Sequence, residues 1–249
     1  VAELSPENVL VYYNRALVHT DLGNLKEAIS DYTRAIELYP DFANAYLGRS
    51  ILRRSQRDVR GAESDEDTEM VLRESARFGV VCHTKNFDTL GEMERTGDSM
   101  EMAARRLRYE WFHELCDQEG YTAIAVAHHT DDSIETFFIN LIRSTGLRGL
   151  TGINRQFGRV VRPMLFASRK DILEFAVHNK VPYREDSSNR STKYLRNKIR
   201  LGLLPTLREI NSKFTAVMRG NLYRLNNAQE FIDAAIDDIR KTVVVREGD

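Results

Sequence analysis

The chain has 249 residues and is 42% hydrophobic, which is enough to fill the core of one large domain or of two modest ones. It has no apolar run near the roughly 18 residues of a membrane span and no signal-peptide pattern in its start, VAELSPEN, so we expect a cytoplasmic protein without a membrane. The formal net charge is only −1, and the two cysteines, Cys82 and Cys116, form no CxxC pair, which argues against zinc ribbons, redox pairs and disulfide frameworks.

The first predicted helices form a repeat with a period of 34 residues. A tyrosine, an arginine and a small residue occur at Tyr12, Arg15 and Ala16 and again at Tyr46, Arg49 and Ser50. Between them lie a turn glycine, then small and aromatic residues at helical spacing, then a proline, namely Gly23, Ala28, Tyr32, Ala35 and Pro40. This pattern resembles a tetratricopeptide repeat, in which small residues let paired helices pack closely.

The second copy of the repeat is incomplete in sequence. Glutamates replace the aromatic residue, the second alanine and the proline of the first copy, at Glu66, Glu69 and Glu74. We therefore expect the first helix of the second copy but not its partner helix. The sequence predicts an all-α tetratricopeptide-like hairpin over residues 1–58, through which a protein partner can bind. So short an array needs support from other segments, because repeats bury their apolar faces on neighbours.

After residue 58, predicted helices alternate with short apolar runs. Helices are expected at 65–78, 98–119 and 131–144, and strands at 79–87 and 122–129. Such alternation predicts an α/β fold with a Rossmann-like parallel sheet and flanking helices. We assign residues 59–200 to this α/β region and residues 201–249 to a helical extension.

Residues 143–200 are strongly basic, with 14 Lys or Arg against 4 Asp or Glu. A basic block inside a nearly neutral protein predicts a polyanionic partner such as a nucleic acid. A solvated charged face would give the same composition, and the sequence alone leaves both explanations open.

The stretch AHHTDDSIETFFIN at residues 127–140 places histidines and acidic residues where a predicted strand ends and a helix begins. Ligands bind at such strand ends in open α/β sheets, and a helix start offers unpaired backbone donors. Asp132 and Glu135 are three residues apart, so they share one face of the helix. The stretch fits a catalytic rim, a helix capped by Thr130 or Asp131, or a metal site. Because no further cluster of ligands accompanies the histidines, we assign no metal ligand.

Several motifs, in order, resemble one family. The stretch AHHTDDSIETFFINLIRSTGLRGLTGI is similar to the HHxDDxxET region of the PP-loop ATPase superfamily, and specifically of bacterial tRNA(Ile)-lysidine synthetases. The other motifs are RGAESDED near residue 60, then SMEMAARRLRYEWF, VVRPML, YREDSSN and YLRNKIR. The similarity extends from about residue 60 to the end of the chain. Each motif alone is weak, and their order and spacing make the resemblance specific.

The resemblance implies a tRNA-modifying ligase with a PP-loop fold. Such enzymes use ATP, with Mg²⁺, to adenylate the C2 oxygen of the wobble cytidine of tRNA(Ile), and free lysine then displaces AMP to form lysidine. Asp132 and Glu135 would be catalytic and hold the lysine ammonium, while His128 and Arg108 would be catalytic and bind ATP. For His128 the alternative is a histidine that only packs in the fold, and for Arg108 it is an ion pair at the surface. The tRNA contacts would come from the basic block, at Arg143, Arg148, Arg162, Arg196, Lys198 and Arg200.

One motif of the family is absent from the sequence. The first strand of these enzymes ends in an SGGxDS loop, whose backbone amides hold the phosphates of ATP. This sequence contains no adjacent pair of glycines, and the tetratricopeptide-like segment occupies the place of the first strands. Two functions therefore stay open, namely a lysidine synthetase-type ligase and a non-catalytic module that binds RNA and protein. A tRNA thiolation enzyme is a third alternative, which the unpaired cysteines disfavour.

Overall fold

A computed structural model describes residues 7–185 and 195–243 of the chain. The chain divides into two compact units, Val1–Ala104 and Arg105–Asp249. These limits differ from the predicted segments 1–58, 59–200 and 201–249, which stay a prediction. Within the described ranges, no helix is both long and apolar enough to cross a membrane.

The first unit is built from helices. They are α1 (Val9–Asp21), α2 (Leu25–Leu38), α3 (Ala43–Ser55), α4 (Val59–Phe78) and α5 (Thr89–Thr96). The core contains four alanines without exposed surface, Ala16, Ala28, Ala35 and Ala45. Small side chains at these positions let the helix backbones approach, while the rings of Tyr32 and Tyr46 fill the remaining space. The predicted tetratricopeptide-like hairpin is confirmed.

An arginine–aspartate pair occurs in both copies of the repeat. Arg15 donates to both carboxylate oxygens of Asp31, at 2.6 Å each. The equivalent pair in the second copy joins Arg49 to both oxygens of Asp65, at 2.9 and 2.7 Å. Asp65 lies on α4, so α4 is the partner helix of α3. The expectation that this helix is absent is wrong, because Ala62 and Asp65 maintain the packing that the first copy achieves with its own alanine and aspartate.

The turns between the paired helices also correspond, although their residues differ. Gly23 follows α1 with a φ angle of 74°, and Arg57 follows α3 with a φ angle of 65°. Glycine adopts this left-handed conformation without steric cost, whereas the Cβ of arginine opposes it. The second copy therefore contains a strained turn where the first copy has a relaxed one.

Residues 79–87 form no strand, although the sequence predicts one. The chain runs without regular structure from residue 80 to α5, and Val80 and Val81 are 59% and 75% exposed. The prediction is wrong because an isolated strand leaves its backbone donors and acceptors without partners.

The second unit combines helices with a small sheet. Its helices are α6 (Met100–Glu119), whose first five residues belong to the first unit, α7 (Thr130–Ile142), α8 (Leu147–Leu150), α9 (Arg169–His178), α10 (Leu195–Lys198), α11 (Leu204–Ile210) and α12 (Phe214–Val243). A π-helical stretch, Ile199–Leu203, joins α10 to α11. The strands β1 (Ile124–Ala125), β2 (Gln156–Phe157) and β3 (Val160–Val161) lie in the order β1-β3-β2. β3 runs parallel to β1 and antiparallel to β2.

The predicted α/β class is confirmed, with a sheet that is smaller than expected and mixed rather than wholly parallel. Ile124 pairs with Val160 across β1 and β3, and Cys116 of α6 packs against both residues. On the other side of the unit, Ile134 of α7 is fully buried among residues of the C-terminal helices, namely Ile199, Leu204, Met218 and Leu222. Burial of this side chain fixes α7 against the C-terminal helices.

Candidate active site

Helix α7 carries three carboxylates, Asp131, Asp132 and Glu135, which we call the acidic cluster. The helix is capped by a histidine. The Nδ1 atom of His129 accepts a hydrogen bond from the backbone amide of Asp132 at 3.3 Å, and the Asp132 carboxylate accepts one from the His129 amide at 3.0 Å. Thr130 lies inside the helix, and its hydroxyl donates to the carbonyl of Leu165. The expected cap at Thr130 or Asp131 is therefore wrong, because the preceding imidazole supplies the acceptor. Few amides of the first turn remain for a ligand.

Asp131 ties α7 to two other helices. Its Oδ2 atom accepts a hydrogen bond from the backbone amide of Arg169 at the start of α9, at 2.7 Å. Its Oδ1 atom accepts one from Nη2 of Arg208 on α11, at 2.6 Å. A buried carboxylate with two such donors is satisfied within the protein, so Asp131 holds the start of α7 in place.

Asp132 and Glu135 share one face of α7 and meet there at one guanidinium. Arg200 donates from Nε to Oε1 of Glu135 at 2.6 Å and from Nη2 to Oε2 at 2.9 Å. The same Nη2 atom lies 3.4 Å from Oδ1 of Asp132. Nε of Arg196 lies 3.8 Å from Oε2 of Glu135. The side chain of Glu135 is 1% exposed and that of Asp132 is 13% exposed, so Asp132 is the more accessible carboxylate.

His128 lies between β1 and α7 with a buried nitrogen that has no hydrogen-bond partner in the described part of the chain, its Nδ1 atom. Burial lowers the pKa of His128 and outweighs the opposite effect of Asp132, and Arg162, Arg105 and Arg196 lower the pKa further. Nε of Arg162 is likewise buried without a partner within the described residues. Buried polar atoms without partners are rare in folded proteins, so these two nitrogens stand out from the rest of the site.

Arg108, predicted to act beside His128, is exposed on α6, and its side chain forms no hydrogen bond or ion pair within the described residues. Arg105, three residues earlier, is the arginine of this helix whose charge acts on His128, together with Arg162 and Arg196 from other segments. The sequence offered a signal for it, because Arg105 and Arg108 share one face of the helix. The catalytic and ATP-binding role of Arg108 stays a prediction.

The predicted tRNA contacts are not gathered at one place. Arg162, Arg196 and Arg200 lie near the acidic cluster. Arg143, Arg148 and Lys198 are exposed, and Arg148 pairs with Asp233 of α12 at 2.6 Å. Residues 186–194, which complete the YREDSSN motif and begin YLRNKIR, lie outside the described residues.

The acidic cluster forms no metal centre in the part of the chain that the structure describes, where no group of three or more His, Cys, Asp or Glu side chains could hold an ion. Its carboxylates are paired with guanidinium or backbone N–H groups instead. The AHHTDD stretch caps its helix, and one helix start can serve both as a cap and as a catalytic rim.

A cavity of about 850 Å³ opens beside the start of α7. Asp131 and Glu135 line one wall of it, together with His129. The other walls come from the starts of α9 and α12 and from α11. The cations that line it are Arg169, Lys170, Arg200, Arg208, Lys213 and Arg219. The cavity thus lies against the paired carboxylates and is rich in positive charge.

Known proteins share both parts of this chain. The PP-loop domain family matches residues 57–207, which include every residue of the acidic cluster and more than half of the chain. The chain belongs to the PP-loop domain family. The tetratricopeptide repeat family matches residues 9–42, which contain α1 and α2. Both resemblances expected from the sequence are confirmed.

The relatives of the PP-loop domain include several proteins named tRNA(Ile)-lysidine synthase. The chain is 41% identical over 189 residues to the one from Parabacteroides distasonis, an alignment that covers 76% of this chain and 43% of the relative. The identity is 38% over 190 residues for Bacteroides thetaiotaomicron, covering 76% and 45%. It is 31% over 196 residues for Bacillus subtilis, covering 76% and 41%. The chain thus spans less than half the length of these relatives.

Proposed function

We propose that this PP-loop domain acts in tRNA modification, as an ATP-dependent ligase that joins free lysine to C2 of the wobble cytidine of tRNA(Ile). The observation that carries the proposal is the pair Asp132 and Glu135 at the start of α7, in a segment that the chain shares with proteins named tRNA(Ile)-lysidine synthase. A cytoplasmic location belongs to the same proposal, as does recruitment of a protein partner by the repeat helices.

Asp132 is the carboxylate best placed to hold the ammonium group of lysine. Both oxygens of Glu135 already accept hydrogen bonds from Arg200, and the side chain is almost wholly buried. Asp132 receives only the longer contact of 3.4 Å from that guanidinium, so lone pairs remain for a second cation. In this proposal Glu135 and Arg200 hold the acidic face in position, and Arg200 does not contact tRNA.

The residues that suit the phosphates of ATP are His128 and Arg162. Their buried nitrogens, Nδ1 and Nε, can donate to phosphate oxygens, and the charge of Arg105 adds to the attraction. The lowered pKa keeps His128 neutral at neutral pH, so it donates without adding charge. ATP, when bound, would transfer its AMP group to the C2 oxygen of the cytidine and release pyrophosphate, and the amine of lysine would then displace AMP from C2. Mg²⁺ is expected with it by the chemistry of phosphate transfer.

Transfer of isotopically labelled lysine to a tRNA(Ile) transcript tests this proposal. With ATP and Mg²⁺ present, the full chain should label the transcript, and Asp132→Asn should lower the labelling at least about tenfold because a charged partner of the ammonium is lost. The affinity for tRNA should stay the same. Asp237→Asn, an exposed change on α12, is the matched control. Equal losses of tRNA binding and labelling in Asp132→Asn would show that Asp132 supports the fold instead.

A non-catalytic module that binds RNA and protein is the second candidate function, and two observations favour it. The sequence has no SGGxDS loop. In addition, two backbone amides at the start of α7 that could bind phosphate in place of that loop already donate hydrogen bonds within the protein. The amide of Thr130 donates to the carbonyl of Ala167, and the amide of Asp132 donates to Nδ1 of His129. Binding of tRNA without any transfer of lysine would support this second function and contradict the first.

A further inference from the structure

The cavity beside α7 carries more positive charge than its own carboxylates neutralise. Each carboxylate that lines it has a partner, namely Arg208 for Asp131, Arg200 for Glu135, the start of α9 for Asp171 and Lys170 for Glu174. Of the three remaining lining cations, Arg169 pairs with Glu185 outside the lining, so Lys213 and Arg219 are left over. Within the described ranges, neither lies within ion-pair distance of a carboxylate. The excess charge is therefore located on one wall, which the start of α12 forms.

The backbone and side-chain contacts of this wall hold its two cations in place. Lys213 directly precedes α12, and its backbone amide donates to Oδ1 of Asn211 at 2.9 Å. Arg219 lies on the same helix face as Ala216, and its Nη1 atom donates to the carbonyl of Phe166 at 2.9 Å. The ammonium of Lys213 and the remaining nitrogens of Arg219 can still bind a ligand. The N-terminal ends of α9 and α12 both border the cavity, and each adds partial positive charge.

We propose that this wall binds phosphate groups of an RNA strand, with Lys213 and Arg219 as the contacts. The ligand is anionic because the unpaired cations, Lys213 and Arg219, are positively charged. The cavity, with a volume of about 850 Å³, is larger than a single phosphate. Ser212 and Thr215 line the same wall with hydroxyl groups, which bond to sugar and phosphate oxygens in nucleic-acid complexes. Phosphates held here place the strand opposite Asp131 and Glu135. The inference rests on the proposed function in that the RNA is a tRNA.

Reversal of the two charges tests the inference through RNA binding, which needs neither ATP nor lysine. The affinity of the full chain for a fluorescent tRNA(Ile) transcript is measured by anisotropy at several salt concentrations. The double variant Lys213→Glu/Arg219→Glu should bind at least about tenfold more weakly, and the slope of log affinity against log salt should fall by roughly 0.7 to 0.9 for each lost phosphate contact. Lys213→Glu alone should show about half of this effect, and it preserves the contact of Arg219 with Phe166.

The control variant carries the same charge change on the same helix. Arg240→Glu/Lys241→Glu reverses two exposed cations near the end of α12, away from the cavity lining, and should bind tRNA like the unchanged chain. Equal weakening by both double variants would overturn the assignment of the cavity, as would unchanged binding in Lys213→Glu/Arg219→Glu. Loss of ATP binding without loss of tRNA binding would assign the wall to a free nucleotide and also overturn it. Failure of the unchanged chain to bind tRNA would overturn both this inference and the proposed function.

Discussion

The carboxylate of Glu135 is buried, with 1% of its side chain exposed, and the guanidinium of Arg200 compensates for the lost hydration of its charge. Removal of the guanidinium leaves a buried charge without its main partner, which costs more than the pair itself contributes. We predict that Arg200→Ala lowers the free energy of unfolding by about 3 kcal/mol, as measured by urea denaturation. The exposed control Arg143→Ala should change it by less than about 0.5 kcal/mol. An equally small loss in Arg200→Ala would show that Glu135 does not depend on this pair.

His128 should make stability depend on pH. Its pKa in the fold lies below the ordinary histidine value of 6.5, mainly because the ring is buried. The unfolded chain therefore binds more protons than the fold just below that pH, so stability is lost as the pH falls from 6.5 towards the lowered pKa. We predict that His128→Gln loses less stability than the unchanged chain over this range, in urea titrations at successive pH values. His113→Gln, at an exposed histidine of α6, is the control, and parallel curves for all three proteins would contradict the prediction.

The spacing of Asp132 and Glu135 was sufficient to predict that they share a helix face. The partner of that face was not predictable from sequence, because Arg200 is 65 residues from Glu135 and lies in a block whose composition favours RNA contacts. The same limitation applies to Arg208 and Asp131, which are 77 residues apart and meet through their side chains. Local patterns reveal which residues of one helix point together, and the tertiary fold decides which charges they meet.

The turns that join the paired helices have the same backbone conformation in the two repeat copies but different residues. Arg57 has a φ angle of 65°, which is unfavourable for any residue with a Cβ, and the equivalent position in the first copy is Gly23. We predict that Arg57→Gly raises the free energy of unfolding by about 1 kcal/mol, whereas Gly23→Ala lowers it by a similar amount. Gln56→Gly is the control, since Gln56 has an ordinary φ angle of −86° and should gain nothing. Urea unfolding of the full chain measures all three, and a destabilised Arg57→Gly would contradict the prediction.

The elements show where sequence patterns succeed and where they fail. The sequence predicts a helix at 65–78 but not its role as the partner helix of α3, because three glutamates replace the aromatic residue, the alanine and the proline expected of the repeat. Asp65, equivalent to Asp31, carried the signal that could have found it, since both aspartates bind the repeated arginine. The strand predicted at 79–87 failed for a different reason. Strand patterns report which residues suit a sheet, but a strand forms only where a neighbouring strand is present.

In the whole molecule, a helix of the PP-loop domain also completes the repeat. The match to the PP-loop domain begins at residue 57, so it includes α4, yet α4 packs on α3 as the second helix of the second copy. This double membership explains the glutamates of α4, whose sequence resembles the synthetases rather than a repeat helix. It also explains how so short an array of repeats closes its core.

The proposed ligase activity depends most on whether this domain binds ATP without an SGGxDS loop. Calorimetric titration of the full chain with ATP and Mg²⁺, with and without tRNA, is the measurement that decides this. We predict saturable binding with a Kd between about 1 μM and 1 mM, weakened by Arg162→Ala, while tRNA binding persists. Absence of ATP binding under both conditions, in a chain that still binds tRNA, would contradict the ligase and leave a module that holds RNA without modifying it.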